Sequence, residues 1–192
     1  YTYVFAGALA FSGLFVYLAA SPILFLEIFN VRPDIYGWIF GGIAAGFIAF
    51  SQLNILFMKK YKSSQILVCG MSCLALISAI FMIGAGNNWY GLTGTTMILF
   101  FYLACAGIIN PNSSALAMEP FTKNAGSASA LMGAIQMTVG AVASAGVGLI
   151  TVKEIFPFTI IFVITSFIAL GILFLGLRKI NYSRGRTSNS SM

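Results

Sequence analysis

Gly84-Ala85-Gly86-Asn87-Asn88-Trp89-Tyr90-Gly91 interrupts a stretch that runs from Ser63 to Met118 without one charged residue. One bilayer crossing takes about 20 residues, so the stretch is too long for one span and long enough for two. Glycine and asparagine mark a turn. Trp89 and Tyr90 suit the interfacial zone, where a ring faces hydrocarbon and its polar edge faces water. Two helices joined at the membrane surface follow.

The flanking sequence repeats the pattern. Tyr1 to Leu26, Ile35 to Met58, Asn124 to Val152 and Ile155 to Leu177 are also free of charge. Six spans are expected, at about 3–26, 36–58, 65–86, 95–118, 126–150 and 156–177. None alternates apolar and polar residues as a barrel strand does. The expected fold is an all-α integral membrane protein, a six-helix transmembrane bundle over residues 1–178. Its connections are short, so the helices form one unit. Residues 179–192, rich in Ser and Asn, are expected to be a disordered cytoplasmic tail.

Composition excludes the other classes. Hydrophobic residues make up 59% of the 192 residues and charged residues 7%, against about 25% charged in soluble domains. Mean hydropathy is +0.97. So few charges cannot cover a soluble globule, and so apolar a chain is not disordered. The net charge of +6 comes from small groups scattered between neutral runs. It reads as topology signal and lipid headgroup contact, not as a nucleic-acid surface. The chain begins inside an apolar run at Tyr1 with no signal-peptide pattern, and is expected to be part of a longer protein.

Six spans leave both ends on one side. That side receives Lys59, Lys60, Lys62, Lys123, Arg178, Lys179, Arg184 and Arg186, and the other receives Arg32 and Lys153, with Asp34 and Glu154. Positive charge collects on the cytoplasmic side, so both ends are expected there. The absence of histidine removes His-ligated zinc and haem sites and Ser-His catalysis. With no acid deep in any span either, no enzyme, cofactor or metal is expected. Cys69, Cys73 and Cys105 lie in apolar runs and read as small packing residues.

Polar and irregular positions inside the spans carry what functional signal there is. Tyr17, Ser21 and Glu27 lie in the outer half of the first span, and Gln52 and Asn54 in the inner third of the second. Tyr102 and Gln136 lie near the middle of the fourth and fifth. Gln136 reads either as a hydrogen bond to a neighbouring helix or as part of a polar pathway. Pro22 removes the N–H that the carbonyl of Leu18 needs, and Pro111 does the same to Gly107. Both are read as helix kinks. Asn110 and Asn112 flank Pro111 and are expected to satisfy the freed backbone groups, either around a structural bend or at a gate. Glycine, alanine and serine recur at four-residue spacing, at Gly37/Gly41, Gly42/Gly46, Gly126/Ala130/Ala134 and Gly140/Ser144/Gly148. Such stripes let helix backbones approach closely.

Tyr17-Leu18-Ala19-Ala20-Ser21-Pro22, Ser51-Gln52-Leu53-Asn54 and Asn110-Pro111-Asn112, followed by Ala125-Gly126-Ser127-Ala128-Ser129-Ala130-Leu131, together resemble the Bcr/CflA group of drug-resistance transporters in the major facilitator superfamily. The resemblance covers about residues 1–178 and matches the second six-helix half of that twelve-helix fold. It implies two inverted three-helix repeats, a bacterial inner-membrane location and a missing N-terminal half as partner. It further implies export of drug-like small molecules resembling bicyclomycin, chloramphenicol or sulfonamides, in exchange for protons. In such folds the first, fourth and fifth helices of this half contribute to the cavity and gates, which singles out Tyr17, Ser21, Tyr102, Asn110, Asn112 and Gln136. One departure stands out. The superfamily loop pattern Gly-x-x-x-Asp-Arg-x-Gly-Arg-Lys is here Asn54-Ile55-Leu56-Phe57-Met58-Lys59-Lys60-Tyr61-Lys62, which keeps the basic cluster and lacks the aspartate. A metabolite or sugar transporter and a non-transporting membrane scaffold are the alternative readings.

Overall fold

The computed structural model describes residues 2–121, 124–148 and 155–189, with side chains to Arg178. Lys123, Lys153, Glu154 and positions 149–150, used above for topology and for the fifth span, lie outside the described residues, as do residues 190–192. Six helices follow in order: α1 (Thr2–Pro22), extended by a π-helical stretch (Ile23–Ile28), α2 (Pro33–Met58), α3 (Ser63–Gly86), α4 (Leu92–Met118), α5 (Ala125–Gly148) and α6 (Phe156–Asn189). Each contains a segment long and apolar enough to cross a membrane, and no strand occurs among the described residues. The chain is a multi-pass, all-helical membrane protein.

Local chemistry accounts for the ends. Asn30 takes a left-handed conformation (φ 49°), which asparagine tolerates because its short side chain can hydrogen-bond locally. It ends the first span, and the Val31 N–H reaches back to the Phe25 carbonyl at 2.8 Å. α2 then starts at Pro33, whose missing N–H is unneeded in a first turn, with Asp34 beside the positive helix end. Asn88 (φ 54°) makes the turn after α3. Asn87 donates to the Ile83 carbonyl at 2.7 Å, and the Tyr90 hydroxyl donates to that of Ile80 at 2.9 Å. The asparagines of the interrupting stretch thus do the turning expected of them.

α1 and α4 form the centre. α1 packs on α4, α5 and α6, α4 packs on α1, α2 and α3, and α3 touches α6. Exchanging α1–α3 with α4–α6 leaves this set of pairings unchanged. Three successive crossings reverse direction, so two such repeats are inverted relative to each other. α2 and α5 each have one main partner and keep a bare face. Trp38 on α2 is 85% exposed, and Val142 on α5 is also exposed. One end of the bundle, the basic end, holds the start of α1, the α2–α3 connection with Lys59, Lys60 and Lys62, and Arg178.

Both α1 and α4 continue past their internal prolines. Pro22 does not break the first span: the helix widens directly after it, and Phe29 donates to Leu24, five residues back. Proline supplies no N–H to hold the tighter register there. α4 stays helical through Pro111. α6 runs on as helix to Asn189; residues 179–189 contain no proline and a single glycine, Gly185, to stop it.

Candidate functional site

Asn110 and Asn112 point to opposite neighbours, because positions i and i+2 are about 200° apart around a helix. Asn112 is wholly buried and donates to Asn54 Oδ1 of α2 at 2.7 Å and to the Ile108 carbonyl at 2.8 Å. Asn54 is 2% exposed, and its own amide donates to the Met58 sulfur at 3.4 Å. On the other side Gln136 of α5 donates to Asn110 Oδ1 at 3.3 Å. The Asn-Pro-Asn motif therefore ties α4 to both α2 and α5. Neither asparagine bonds the Gly107 carbonyl freed by Pro111, contrary to expectation: the Asn112 amide donates to Asn54 and Ile108, and Asn110 accepts from Gln136. Asn112 Oδ1 is buried without a partner among the described residues.

A second cluster joins α1 to α2 at the opposite end of the bundle. Tyr17, 2% exposed, stacks on Phe40 with ring centroids 5.6 Å apart and planes at 16°. Ser21 Oγ and the Tyr36 hydroxyl share a hydrogen bond of 2.9 Å, and Phe25 lies against Tyr36. The Tyr17 hydroxyl has no partner among the described residues. Glu27 sits exposed in the π-helical stretch. Sequence reading missed Tyr36 and Phe40. Their four-residue spacing along one face of α2 was the available signal.

Tyr102 is placed differently from a cavity residue. Its ring is buried edge-on against Phe162 at 4.8 Å, its hydroxyl meets Ser166 Oγ at 3.1 Å, and Gly13 leaves the room it occupies. It closes the core among α1, α4 and α6. Tyr102→Phe is expected to lower stability by about 0.5–1.5 kcal/mol, the net worth of one hydrogen bond, with substrate binding unchanged. Thermal unfolding of the purified protein and a binding isotherm check both.

Gln52 is exposed on α2. Of the stripe glycines, Gly46 receives the Phe100 ring and Gly140 the Phe15 ring, whereas nothing approaches Gly37, Gly41, Gly42, Gly126 or Gly148. Among the described residues the stripes thus seat aromatic rings or face outward, and the close backbone contact falls elsewhere, at Gly107, against the Phe47 carbonyl. Cys69 and Cys73 are exposed and Cys105 is half-buried, all three as free thiols.

A cavity of about 710 Å³ opens at the basic end between α1, α4 and α5. Its lining includes Tyr3, Leu116, Glu119, Phe121, Leu131 and Met132, and none of the candidate residues.

No family model matches the chain. It is 27% identical over 140 residues, 73% of the chain and 35% of the relative, to the bicyclomycin resistance protein homolog of Haemophilus influenzae. It is also 27% identical over 172 residues, 87% of the chain and 41% of the relative, to the uncharacterized MFS-type transporter YdgK of Bacillus subtilis. The resemblance read from the sequence thus extends to named relatives, and the chain spans only 35% and 41% of their lengths.

Proposed function

We propose that this chain is the C-terminal six-helix half of a bacterial inner-membrane transporter that exports drug-like small molecules by alternating access, coupled to protons. The observation that carries the reading is the pairing of two inverted three-helix repeats around α1 and α4. Such repeats are the architecture of transporters that rock about a midplane site. The bare faces of α2 and α5 suit a second half of the same protein. The name of one relative, the bicyclomycin resistance protein homolog, adds drug resistance to the picture.

The buried polar groups of this half are amides, hydroxyls and phenols, with aromatic rings beside them. A surface of this kind suits uncharged or amphipathic compounds better than sugars, which need dense arrays of hydrogen-bonding groups. No charge lies in the middle of any described span, so the titrating carboxylate is assigned to the other half. In this reading both ends of the segment are cytoplasmic. The Asn54–Asn112 and Asn110–Gln136 bridges act at the gate on that side, and Tyr17 with Ser21 at the other.

Expression of the full-length protein in a cell lacking its own efflux pumps is expected to raise resistance to chloramphenicol- or bicyclomycin-like compounds several-fold. Adding the drug to everted, acidified vesicles is expected to release protons. Absence of both resistance and drug-driven proton movement across a broad panel would overturn the reading.

A further inference from the structure

Where α3 begins, at the basic end of the bundle, it leaves an open groove of about 410 Å³ against α6. Ser64, Gln65, Val68 and Cys69 of α3 and Leu177 of α6 line it. Ser64 with Val68, and Gln65 with Cys69, are four-residue pairs, so the four share one side of α3. Three of them are small, which leaves room beside α6. Val68 and Leu177 form a half-buried apolar floor.

Polar groups gather at the outer end of this floor. Lys62 lies two residues before Ser64, Arg178 directly follows Leu177, and both cations are exposed. Gln65 Oε1 accepts from the Lys62 N–H at 3.2 Å, so the amide N–H groups are what this side chain offers to a ligand. Toward the membrane interior the neighbours on α6 are apolar, with Phe174 and Leu175 48% and 70% exposed.

The two ends of the groove define the two ends of the ligand. Cations and amide donors suit the oxygens of a phosphodiester. The apolar floor suits a hydrocarbon chain. A free phosphate would leave that floor uncovered, and a zwitterionic headgroup would bring its own cation toward Lys62 and Arg178. Basic pockets between membrane helices on the cytoplasmic side hold anionic headgroups in other proteins. We propose that the α3–α6 groove binds an anionic phospholipid, with its phosphate at Lys62, Gln65 and Arg178 and an acyl chain along Val68, Cys69 and Leu177. Such binding requires no transport and is independent of the substrate proposed above.

Native mass spectrometry of the full-length protein, titrated with phosphatidylglycerol or with phosphatidylcholine of the same chains, tests the site. Phosphatidylglycerol is expected to bind about tenfold more tightly. Lys62→Gln combined with Arg178→Gln should remove that preference. Lys59→Gln combined with Lys60→Gln removes the same charge from the same connection and should weaken binding no more than about threefold, because these lysines lie farther from the groove. Cys69→Trp should weaken both lipids by filling the groove; Cys69 is exposed, so the variant should fold. Inorganic phosphate should not displace the lipid. Equal binding of the two lipids, equal losses in the two lysine-containing pairs, indifference to Cys69→Trp, or displacement by phosphate alone would each overturn the site.

Discussion

Gly107→Leu is expected to abolish the folded protein, and Gly107→Ala to lower its melting temperature by several degrees. A Cβ at Gly107 would run into the Phe47 carbonyl oxygen of α2. A side-chain neighbour could rotate away, but a backbone oxygen moves only if the whole helix moves. Overpacking of a close contact costs about 1–3 kcal/mol, and here it would part α2 from α4, the main partner of α2. The parting would also strain the Asn54–Asn112 bond farther along the same two helices. Gly171→Ala on α6 is the control. Nothing lies within 4 Å of its added carbon, so stability should hold or rise by a few tenths of a kcal/mol through reduced chain entropy. Size-exclusion profiles and melting curves in detergent decide the matter. A Gly107→Ala protein as stable as the parent would show that the α2–α4 contact is not as close as described.

Asn112→Leu and Asn54→Leu are each expected to cost about 1–3 kcal/mol, the penalty for leaving a buried amide without its partner. The double variant should cost clearly less than the two single losses together. Hydrogen bonds between membrane helices are worth only about 0.6 kcal/mol on average, so a typical bridge would not produce single losses of that size. Burial decides here: with both residues almost fully enclosed, neither amide can turn to water when the other is removed. Removing both leaves no orphan. A double-mutant cycle on unfolding in mild denaturant measures the coupling. Strict additivity of the two losses would sink the bridge as an energetic unit. Export is expected to slow more in the single variants than in the double, since only the singles leave an unpaired amide between α2 and α4.

The two predictions show which features could be read from the chain. Asn110 and Asn112 stood out because polar residues inside apolar helices are costly and therefore noticeable. Their partners did not. Asn54 lies 58 residues from Asn112, and Gln136 lies 26 from Asn110, and no pattern in the chain links them. Gly107 was read only as the residue whose carbonyl Pro111 leaves unpaired, whereas it is a point of close approach between two helices. Tyr102 was noticed as a mid-span polar group and given a cavity role, yet its hydroxyl is spent on Ser166 in the core. The cavity beside Glu119 was not foreseen at all. Its walls come from the ends of three helices, and ends drawn together by packing leave no shared trace in sequence.

The sequence by itself determined that the chain crosses the membrane six times and turns within Gly84–Gly91, because those outcomes need only length, apolarity and residues that favour a turn. Tertiary structure alone decided that α2 packs on α4, that α5 packs on α1, and that α1 and α4 hold the centre. The reason is physical. In a soluble helix one apolar stripe announces the buried face, but in lipid every face is apolar and burial brings no hydrophobic gain between helices. The choice of neighbour then falls to shape and to a few buried hydrogen bonds, and both exist only once the helices are side by side.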